Sequence, residues 1–349
     1  MTLGHDKDNK GLDPDTKISF RNMVFRIGSP CGENYGFLVL REYGEVFGYY
    51  SDNELFWAQD GNELAFISSS GLISSRYNSL GNGMIWIGRH ERRLYPMYLI
   101  PVLSYRPINA ASHLPPAVIN SIPKSGTHLC EKILLELGFE SGATMFTWED
   151  VVDDFQHEDT LELEDKEGSR GKICPLQVAV GAIPNGTVVM AHASSPSWIV
   201  SAFEAGTRHV HCIRNLRDVL ISLYRWKRRG ANCSHDLGDF LEFLRSEAEA
   251  DLTLVERSAT AILSHGKGRT VRFEDLASPE SAKRGAVVLA RAFGLPLEDI
   301  NAAIARAQGA KTTTYNAVRS DHHTFWNDDV EEFFEHRGLA QLNRKLGYS

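Results

Sequence analysis

The chain has 349 residues, of which 42% are apolar, and it carries a formal net charge of −8 at pH 7. This length allows one large domain or two ordinary ones with a substantial buried core. The acidic balance argues against a general nucleic-acid binder, which normally has an overall basic charge or a long basic stripe. The cysteines are widely spaced and form no CxxC pair, so we expect neither a disulfide framework nor a zinc site, and a cytoplasmic location is the simple inference.

The first third of the chain predicts a small, mainly β N-terminal domain. Residues 1–16 are polar and contain no secretory signal, so we expect a flexible tail there. Over residues 17–105, short runs of branched and aromatic residues alternate with glycine and asparagine turns, which is typical of antiparallel hairpins. Proline and serine then predict a linker over residues 106–116. The most apolar stretch, residues 94–105, is too short for a membrane span and is interrupted by prolines.

From residue 117 onward, apolar runs alternate with helical patterns, which predicts an α/β domain over residues 117–349. We expect a P-loop-like three-layer arrangement with a mostly parallel sheet. Strands are predicted at residues 117–122, 187–192, 209–213 and 270–273. Helices are predicted at residues 128–137, 217–228, 237–263, 280–293, 298–307 and 328–346. The strongly acidic segment 149–167 is predicted to be a solvated loop, with a lid or acceptor-binding segment as the alternative.

The stretch SIPKSGTH, residues 121–128, has the pattern of an anion-binding loop. A strand ending at Ile122, a tight turn, and a helix opening near Thr127 direct backbone N–H groups and the positive helix end at one spot. Lys124 adds a charge, Ser125 and Thr127 add hydroxyl groups, and Gly126 is expected to let the backbone approach a ligand. A turn that is merely rich in helix-capping residues explains this short pattern equally well.

A second segment, HVHCIRNLRDVLISLYRW, runs from a predicted strand into a predicted helix. Arg214 stands at the strand end, and Ser222 follows it by eight residues, about one turn into the predicted helix. These two side chains can hold a second phosphate. Two phosphate sites suit a nucleotide that carries phosphates at both ends of its ribose better than they suit a lone triphosphate.

These two segments resemble the 5′-phosphosulfate loop and the 3′-phosphate-binding segment of sulfotransferases that use 3′-phosphoadenosine 5′-phosphosulfate (PAPS). The similarity continues through VVMAHASSP, through TVRFEDLASPES and through the C-terminal stretch ending in LGY. It covers about residues 117–348, and the N-terminal β-rich part lies outside the family pattern. The resemblance implies a PAPS-dependent enzyme that moves a sulfuryl group, by in-line attack, to a hydroxyl of a small-molecule or saccharide acceptor.

The resemblance also implies roles for individual residues. Lys124 matches the lysine that stabilises charge on the leaving phosphate oxygen, and His192 matches the base that takes the acceptor proton. Arg214 and Ser222 match the ligands of the 3′-phosphate. The full set of implied cofactor-binding residues is Lys124, Ser125, Gly126, Thr127, His128, Arg214, Ser222, Phe273 and Arg319. No divalent metal is expected, because the transferred sulfuryl group carries less negative charge than a phosphoryl group.

The chain departs from the family pattern at several of these positions. His128 and Leu129 stand where a threonine and an adenine-stacking tryptophan are common, and Met190 replaces a lysine. Phe273 replaces a tyrosine and lacks its O–H donor, and the glycine expected soon after Arg319 is missing. The resemblance therefore does not say how adenine is held.

Two other functions stay open on the sequence alone. One is a noncatalytic nucleotide- or glycan-binding protein on the same fold, with Tyr49, Tyr50, Trp57 and Trp86 either as a sugar platform or, more simply, as hairpin core. The other is a nucleotide kinase, which is disfavoured because no lysine follows the last glycine of the loop. Absence of binding of the desulfated nucleotide PAP, with binding of ATP and magnesium, would favour the kinase, whereas absence of turnover with any acceptor would favour the noncatalytic protein.

Overall fold

In the computed structural model, the described residues are 23–31, 33–41, 44–49, 51–60, 63–80, 85–90, 93–105, 113–148, 151–154, 171–204, 206–228, 237–266, 268–308 and 325–349. The predicted tail, most of the predicted linker, most of the acidic segment 149–167, and both Tyr50 and Arg319 lie outside these residues.

The N-terminal part forms an eight-stranded antiparallel sheet, here called sheet A, with the order β3-β2-β1-β8-β7-β6-β5-β4. Its side chains alternate between faces, as in β6, where Tyr77 is buried between two exposed neighbours. Buried aromatic and aliphatic side chains such as Phe25, Phe66 and Trp86 fill its core. The strands are β1 (Met23–Gly28), β2 (Asn34–Leu40), β3 (Val46–Phe47), β4 (Phe56–Asp60), β5 (Glu63–Ile67), β6 (Ile73–Leu80), β7 (Ile85–His90) and β8 (Arg93–Ser104).

The remainder of the chain builds sheet B, a seven-stranded sheet with the order β12-β11-β10-β13-β9-β14-β15. The neighbouring pairs β10–β13, β13–β9, β9–β14 and β14–β15 are parallel. Strands β11 and β12 add an antiparallel edge beside β10. The central strands β9 and β13 are buried along their whole length, as expected for a covered parallel sheet. The strands are β9 (Ala117–Ser121), β10 (Glu140–Trp148), β11 (Val151–Asp154), β12 (Gly171–Ile173), β13 (Thr187–Ala191), β14 (Arg208–Ile213) and β15 (Thr270–Arg272).

Helices cover both faces of sheet B. Ile119 packs with residues of α1, α8 and α9, whereas Val118 on the opposite face packs with residues of α2 and α3. The described helices are α1 (Thr127–Leu135), α2 (Leu176–Gly181), α3 (Pro196–Glu204), α4 (Leu216–Lys227), α5 (Leu237–Ser246), α6 (Glu249–His265), α7 (Phe273–Ala277), α8 (Ala282–Phe293), α9 (Leu297–Ala307), α10 (Asp328–His336) and α11 (Leu339–Lys345). None of these helices is both long and apolar enough to cross a membrane.

Several predicted boundaries were wrong. The single helix predicted at 237–263 is two helices, because the backbone N–H groups of Glu247 and Ala248 both bond the carbonyl oxygen of Phe243 and end α5. The helix predicted at 328–346 is broken at Gly338, which has φ 79°. Phe273, predicted as the last residue of a strand, instead opens α7.

Sheet A and sheet B share a hydrophobic cluster. Val24, Leu103 and Tyr105 of the N-terminal part pack in one buried group with residues of sheet B and of helices α2 and α3. The Tyr105 hydroxyl also donates a hydrogen bond to the carbonyl oxygen of Ala179 in α2, at 2.9 Å. The cores of the two sheets are therefore joined at one side.

Candidate functional site

The loop between β9 and α1 has the backbone conformation of a tight anion-binding turn. Lys124 and Gly126 both have positive φ, at 65° and 93°. The N–H of Ser125 bonds the carbonyl oxygen of Ile122 at 3.1 Å, which closes the turn. No side chain caps the N-terminus of the nine-residue helix α1. Its first N–H groups are therefore not used by a side-chain cap.

Ser125 contributes a buried hydroxyl group to this turn. The residue is 1% exposed, and its Oγ atom has no hydrogen-bond partner among the described residues. A buried hydroxyl without a partner costs free energy, so such groups in proteins need an explanation. An anion bound by the loop supplies an acceptor for this hydroxyl, and the arrangement therefore fits the phosphate end of a nucleotide.

The structure gives two reasons for glycine at position 126. A Cβ atom at this position would lie 2.5 Å from Cδ2 of Phe273, so the space beside Gly126 is filled by the Phe273 ring. The positive φ of 93° adds a second requirement for glycine. The structure thus explains the glycine by the packing of the loop on α7 and by its backbone conformation, and close approach of a ligand at Gly126 stays a prediction.

His192 follows β13 directly and is fixed by hydrogen bonds to β9. Its Nδ1 atom lies 2.9 Å from the carbonyl oxygen of Ser121 and 3.1 Å from the Ser121 Oγ. Ser121 Oγ in turn lies 2.6 Å from Thr127 Oγ1, which connects His192 to the first residue of α1. The backbone N–H of His192 donates to the carbonyl oxygen of Phe146 in β10 at 2.7 Å.

These contacts determine the proton arrangement of His192. A carbonyl oxygen only accepts hydrogen bonds, so Nδ1 carries the proton and Nε2 carries the lone pair. Burial lowers the pKa of His192 to about 4, and the nearby Lys124 and His128 act in the same direction, while the bond to Ser121 opposes them. The imidazole is therefore neutral at pH 7 and has an available basic nitrogen.

Arg214 lies on the other side of the loop, at the end of β14. Its Nη1 atom donates a hydrogen bond to the carbonyl oxygen of Lys124 at 3.4 Å, and its guanidinium lies 4.4 Å from the centre of the Phe273 ring. Burial lowers the pKa of Arg214, and the charge of the nearby Asp218 carboxylate is the largest effect that raises it. Its Nε lies 3.9 Å from the Asp218 carboxylate. The structure thus brings Arg214 and Phe273 together with the loop, and their roles as cofactor ligands stay predictions.

The Lys124 ammonium group is directed toward α4. Its Nζ atom lies 4.9 Å from the centre of the Trp226 ring, a cation–π distance. Ser222 is four residues before Trp226, so the two share a face of α4. The structure places Ser222 as the seventh residue of Leu216–Lys227, nearly two turns into the helix and not one turn as predicted.

The remaining predicted residues have mixed outcomes. His128 lies on the first turn of α1, where its Nδ1 is 3.5 Å from the Glu131 carboxylate. Thr127 is occupied by its bond to Ser121. Sequence reasoning missed Ser121 and Trp226, although both stand next to predicted motifs. Within the part of the chain that is described, no three His, Cys, Asp or Glu side chains gather in a way that holds a metal ion.

Comparison with known proteins gives only a distant likeness. No protein-family model matches the chain, and no curated protein matches it. A crystal structure of the mouse sulfotransferase SULT7A1 complexed with PAP has a TM-score of 0.44 and 12% sequence identity, covering 66% of this chain and 87% of that one. A likeness at this level carries no argument about activity or ligands.

Proposed function

We propose that the chain is a PAPS-dependent sulfotransferase that transfers a sulfuryl group to a hydroxyl of a small-molecule or saccharide acceptor. PAPS supplies the activated sulfuryl group, and the chain supplies charge stabilisation and a base. The proposal rests on the sequence resemblance of residues 117–348 and on the geometry around the β9–α1 loop.

One observation carries most of the weight: a neutral histidine is held beside an anion-type loop. Nδ1 of His192 is bonded to the Ser121 carbonyl oxygen at 2.9 Å, only three residues before Lys124 in the chain. A turn that merely caps a helix has no need of a base fixed in one tautomer next to it. Acyl, phosphoryl and sulfuryl transfer all need such a base near an anion site.

In this proposal, His192 Nε2 accepts the proton of the acceptor hydroxyl as its oxygen attacks sulfur. The proton then resides on Nε2, and the bond from Nδ1–H to the Ser121 carbonyl oxygen stabilises the resulting imidazolium. Lys124 neutralises negative charge on the oxygen that leaves sulfur, while Ser125 and the first N–H groups of α1 hold the 5′ phosphate end.

Arg214, Ser222 and Phe273 are assigned to the 3′ phosphate side. Arg214 is already oriented, because its guanidinium packs over Phe273 and bonds the Lys124 carbonyl oxygen. This orientation lowers the entropy cost of gripping an anion. Arg319 and His128 complete the proposed set, with Arg319 outside the described residues.

Isothermal titration calorimetry with PAP tests the binding half of the proposal. We expect PAP to bind without added metal and Arg214→Gln to weaken that binding by about tenfold or more, since it removes a charged phosphate ligand. Absence of PAP binding, together with binding of ATP in the presence of magnesium, would instead favour a nucleotide kinase.

Labelled PAPS combined with a panel of saccharides, phenols and lipid extracts tests the catalytic half. We expect Lys124→Gln to lower turnover by roughly 10²–10³-fold, the effect of losing one stabilising donor. Lys132→Gln is the matched control, since Lys132 lies on the outer part of α1 and pairs with Glu136. PAP binding without turnover on any acceptor would favour the noncatalytic protein.

A further inference from the structure

A buried asparagine joins the residue after His192 to a histidine on the next strand. Asn120 lies on β9, and its Oδ1 accepts a hydrogen bond from the backbone N–H of Ala193 at 2.8 Å. Its Nδ2 lies 3.0 Å from Nδ1 of His211 on β14. Both Asn120 and His211 are 0% exposed. The sequence analysis assigned no role to either residue.

The two bonds fix the orientation of the Asn120 amide and the tautomer of His211. The Ala193 N–H is a donor, so the atom facing it is the amide oxygen, and the NH₂ group therefore faces His211. An NH₂ group donates, so Nδ1 of His211 carries a lone pair and its proton is on Nε2. Burial lowers the pKa of His211 to about 3, which agrees with a neutral imidazole.

The position of Asn120 in the sheet explains what this amide holds. Asn120 is in register with Ala191 on one side and with His211 on the other. The β13–β9 ladder ends at Ala191, immediately before His192. The Asn120 side chain then makes one more bond, to Ala193, so it continues the ladder past the point where the backbones separate. His192 therefore lies between Ala191, the last residue of the ladder, and Ala193, whose N–H is bonded to Asn120.

We propose that Asn120 and His211 form a positioning pair that fixes the chain at Ala193, directly after His192, and so aims the His192 imidazole. The identification of His192 as the base rests on the proposed function, whereas the positioning itself does not. Without the pair, Ala193 loses its bond to Asn120, and the segment is held at His192 by the backbone bond to Phe146. The Nδ1–H bond from His192 to Ser121 then loosens, and the ring gains water.

A purely structural role for the pair makes a different prediction. Loss of two buried hydrogen bonds lowers stability in either case. Only a positioning role also changes the tautomer and proton affinity of the His192 ring, whose environment includes Lys124, His128 and Ser121. The imidazole ring of His192 is thus the informative probe.

The test is ¹⁵N NMR of the histidine rings in the full chain, with no nucleotide or acceptor added. The His192 signals are assigned by their loss in His192→Gln. In Asn120→Leu, we expect the midpoint of the His192 titration to rise from about 4 by at least about one unit, a tenfold change in proton affinity. Water beside the ring removes the largest cause of the lowered pKa, which is burial, and this outweighs the weakened bond to Ser121. An unchanged His192 titration and tautomer in folded Asn120→Leu would overturn the proposal.

Asn343→Leu is the matched control. Asn343 is also a buried asparagine, 1% exposed, and its Oδ1 accepts a bond from the backbone N–H of Leu216 at 2.8 Å. Its substitution removes the same kind of bond at the start of α4, away from β13. We expect Asn343→Leu to lower stability and leave the His192 ring signals in place.

Asn120→Asp provides a second test that does not depend on Asn120→Leu folding. One carboxylate oxygen still accepts from Ala193, so the Nδ1–H tautomer of His192 should persist. The other oxygen faces His211 and should raise the pKa of His211 by at least about one unit, because a carboxylate favours the imidazolium. A His211 titration that does not move would show that the pair is not bonded, and would also overturn the proposal.

These outcomes are separable from those of the proposed function. The ring spectra are recorded without PAPS, and PAP calorimetry is recorded without reference to His192. A chain that fails to bind PAP can still show the Asn120 effect, and a PAP-binding chain can lack it.

Discussion

Sheet A and sheet B differ in what their strands bury. Sheet A encloses mainly aromatic and aliphatic side chains, with Phe66 and Tyr77 in an edge-to-face contact at 5.4 Å. In sheet B, the central strands β9 and β14 bury Asn120, Ser121, His209 and His211. Buried polar groups cost free energy unless they are bonded, so their concentration in two adjacent strands needs a reason.

The reason suggested by their position is the site at one edge of sheet B. Ser121 is the last residue of β9, and Arg214 directly follows β14. In open α/β sheets, ligands bind beyond the carboxyl ends of the strands, and the polar residues of β9 and β14 support the segments that leave those ends. In our proposal the chemistry belongs to sheet B, whereas sheet A contributes an apolar core of its own, and the following substitutions test that division.

The largest expected effect is a loss of stability in mild acid, arising from sheet B. Burial is the main cause that lowers the pKa of His192 and His209 to about 4 and of His211 to about 3, from the ordinary 6.5. The unfolded chain therefore binds more protons between pH 6.5 and about 4. The contribution of these histidines to the free energy of unfolding has its full value above pH 6.5. It should fall by about 1.4 kcal/mol per pH unit for each histidine as the pH drops from 6.5 toward 4.

Urea unfolding at pH 7.5, 6.5 and 5.5 measures this slope. His209→Gln removes one of the three groups and should make the slope shallower by about one third. Equal slopes in His209→Gln and in the original chain would mean that His209 does not contribute, despite its buried position beside Arg269.

The next effect concerns the apolar core of sheet A. Phe66 is 0% exposed, and Phe66→Ala should lower the free energy of unfolding by about 3–5 kcal/mol through lost burial and a cavity. PAP affinity of the folded protein should not change, since the loop from Pro123 to Gly126 belongs to sheet B. Phe56→Ala is the control, because Phe56 in the neighbouring strand is 45% exposed. The decrease in the free energy of unfolding should be well under half of that in Phe66→Ala. A drop in PAP affinity in Phe66→Ala would argue against the division of labour.

The sequence allowed much of sheet B to be predicted. The largely buried strands β9, β13 and β14 have runs of branched apolar residues, and helix α4 has a strong local signal. In the structure Asn215 caps α4 by accepting from the N–H of Arg217. By contrast, β10 was missed because ESGATMFTW mixes small and polar residues, and its pairing with β13 shifts register between Ser141 and Met145. Pairing with the neighbouring strands determines that such a segment is a strand, and its own sequence pattern does not.

At the candidate site, the motif residues were predictable and their connections were not. Arg214 was identified as a candidate anion ligand and lies against the loop, whereas the bond between Asn120 and His211 joins residues 91 positions apart. Strand order decides that contact, and a single sequence does not contain the order. Gly126 is the opposite case: the glycine was found, and only the structure shows that Phe273 is what excludes a side chain there.

Gly126→Ala is expected to cost about 1–3 kcal/mol of stability, because the new Cβ meets Phe273 and the backbone is left-handed. Gly294→Ala is a matched control: Gly294 has φ 70° and no atom within 4 Å of its Cβ position, so it carries the backbone cost alone. Urea unfolding of both variants, with Phe273→Ala in a double-mutant cycle, isolates the contact. Equal losses in Gly126→Ala and Gly294→Ala would show that the Phe273 contact is not limiting.

The smallest effect concerns the junction between sheets A and B. Tyr105→Phe removes the hydroxyl that bonds the Ala179 carbonyl oxygen at 2.9 Å. That oxygen also accepts from the N–H of Ala182 at 3.2 Å, so it is not left without a donor, and the loss should be about 0.5–1 kcal/mol. Tyr35→Phe is the control, because the Tyr35 hydroxyl is at the surface, where it donates to the exposed Glu33 carboxylate, and its removal should change stability by less than about 0.5 kcal/mol.

The shape of the Tyr105→Phe unfolding curve is as informative as its midpoint. If the shared cluster of Val24, Leu103 and Tyr105 couples the two sheets, tryptophan fluorescence and far-UV circular dichroism should still report one transition. Two separated transitions after loss of a single hydroxyl would mean that sheet A and sheet B fold as nearly independent units. The histidine-dependent slope would then appear only in the transition of sheet B, which turns the contrast between the two sheets into a directly measurable one.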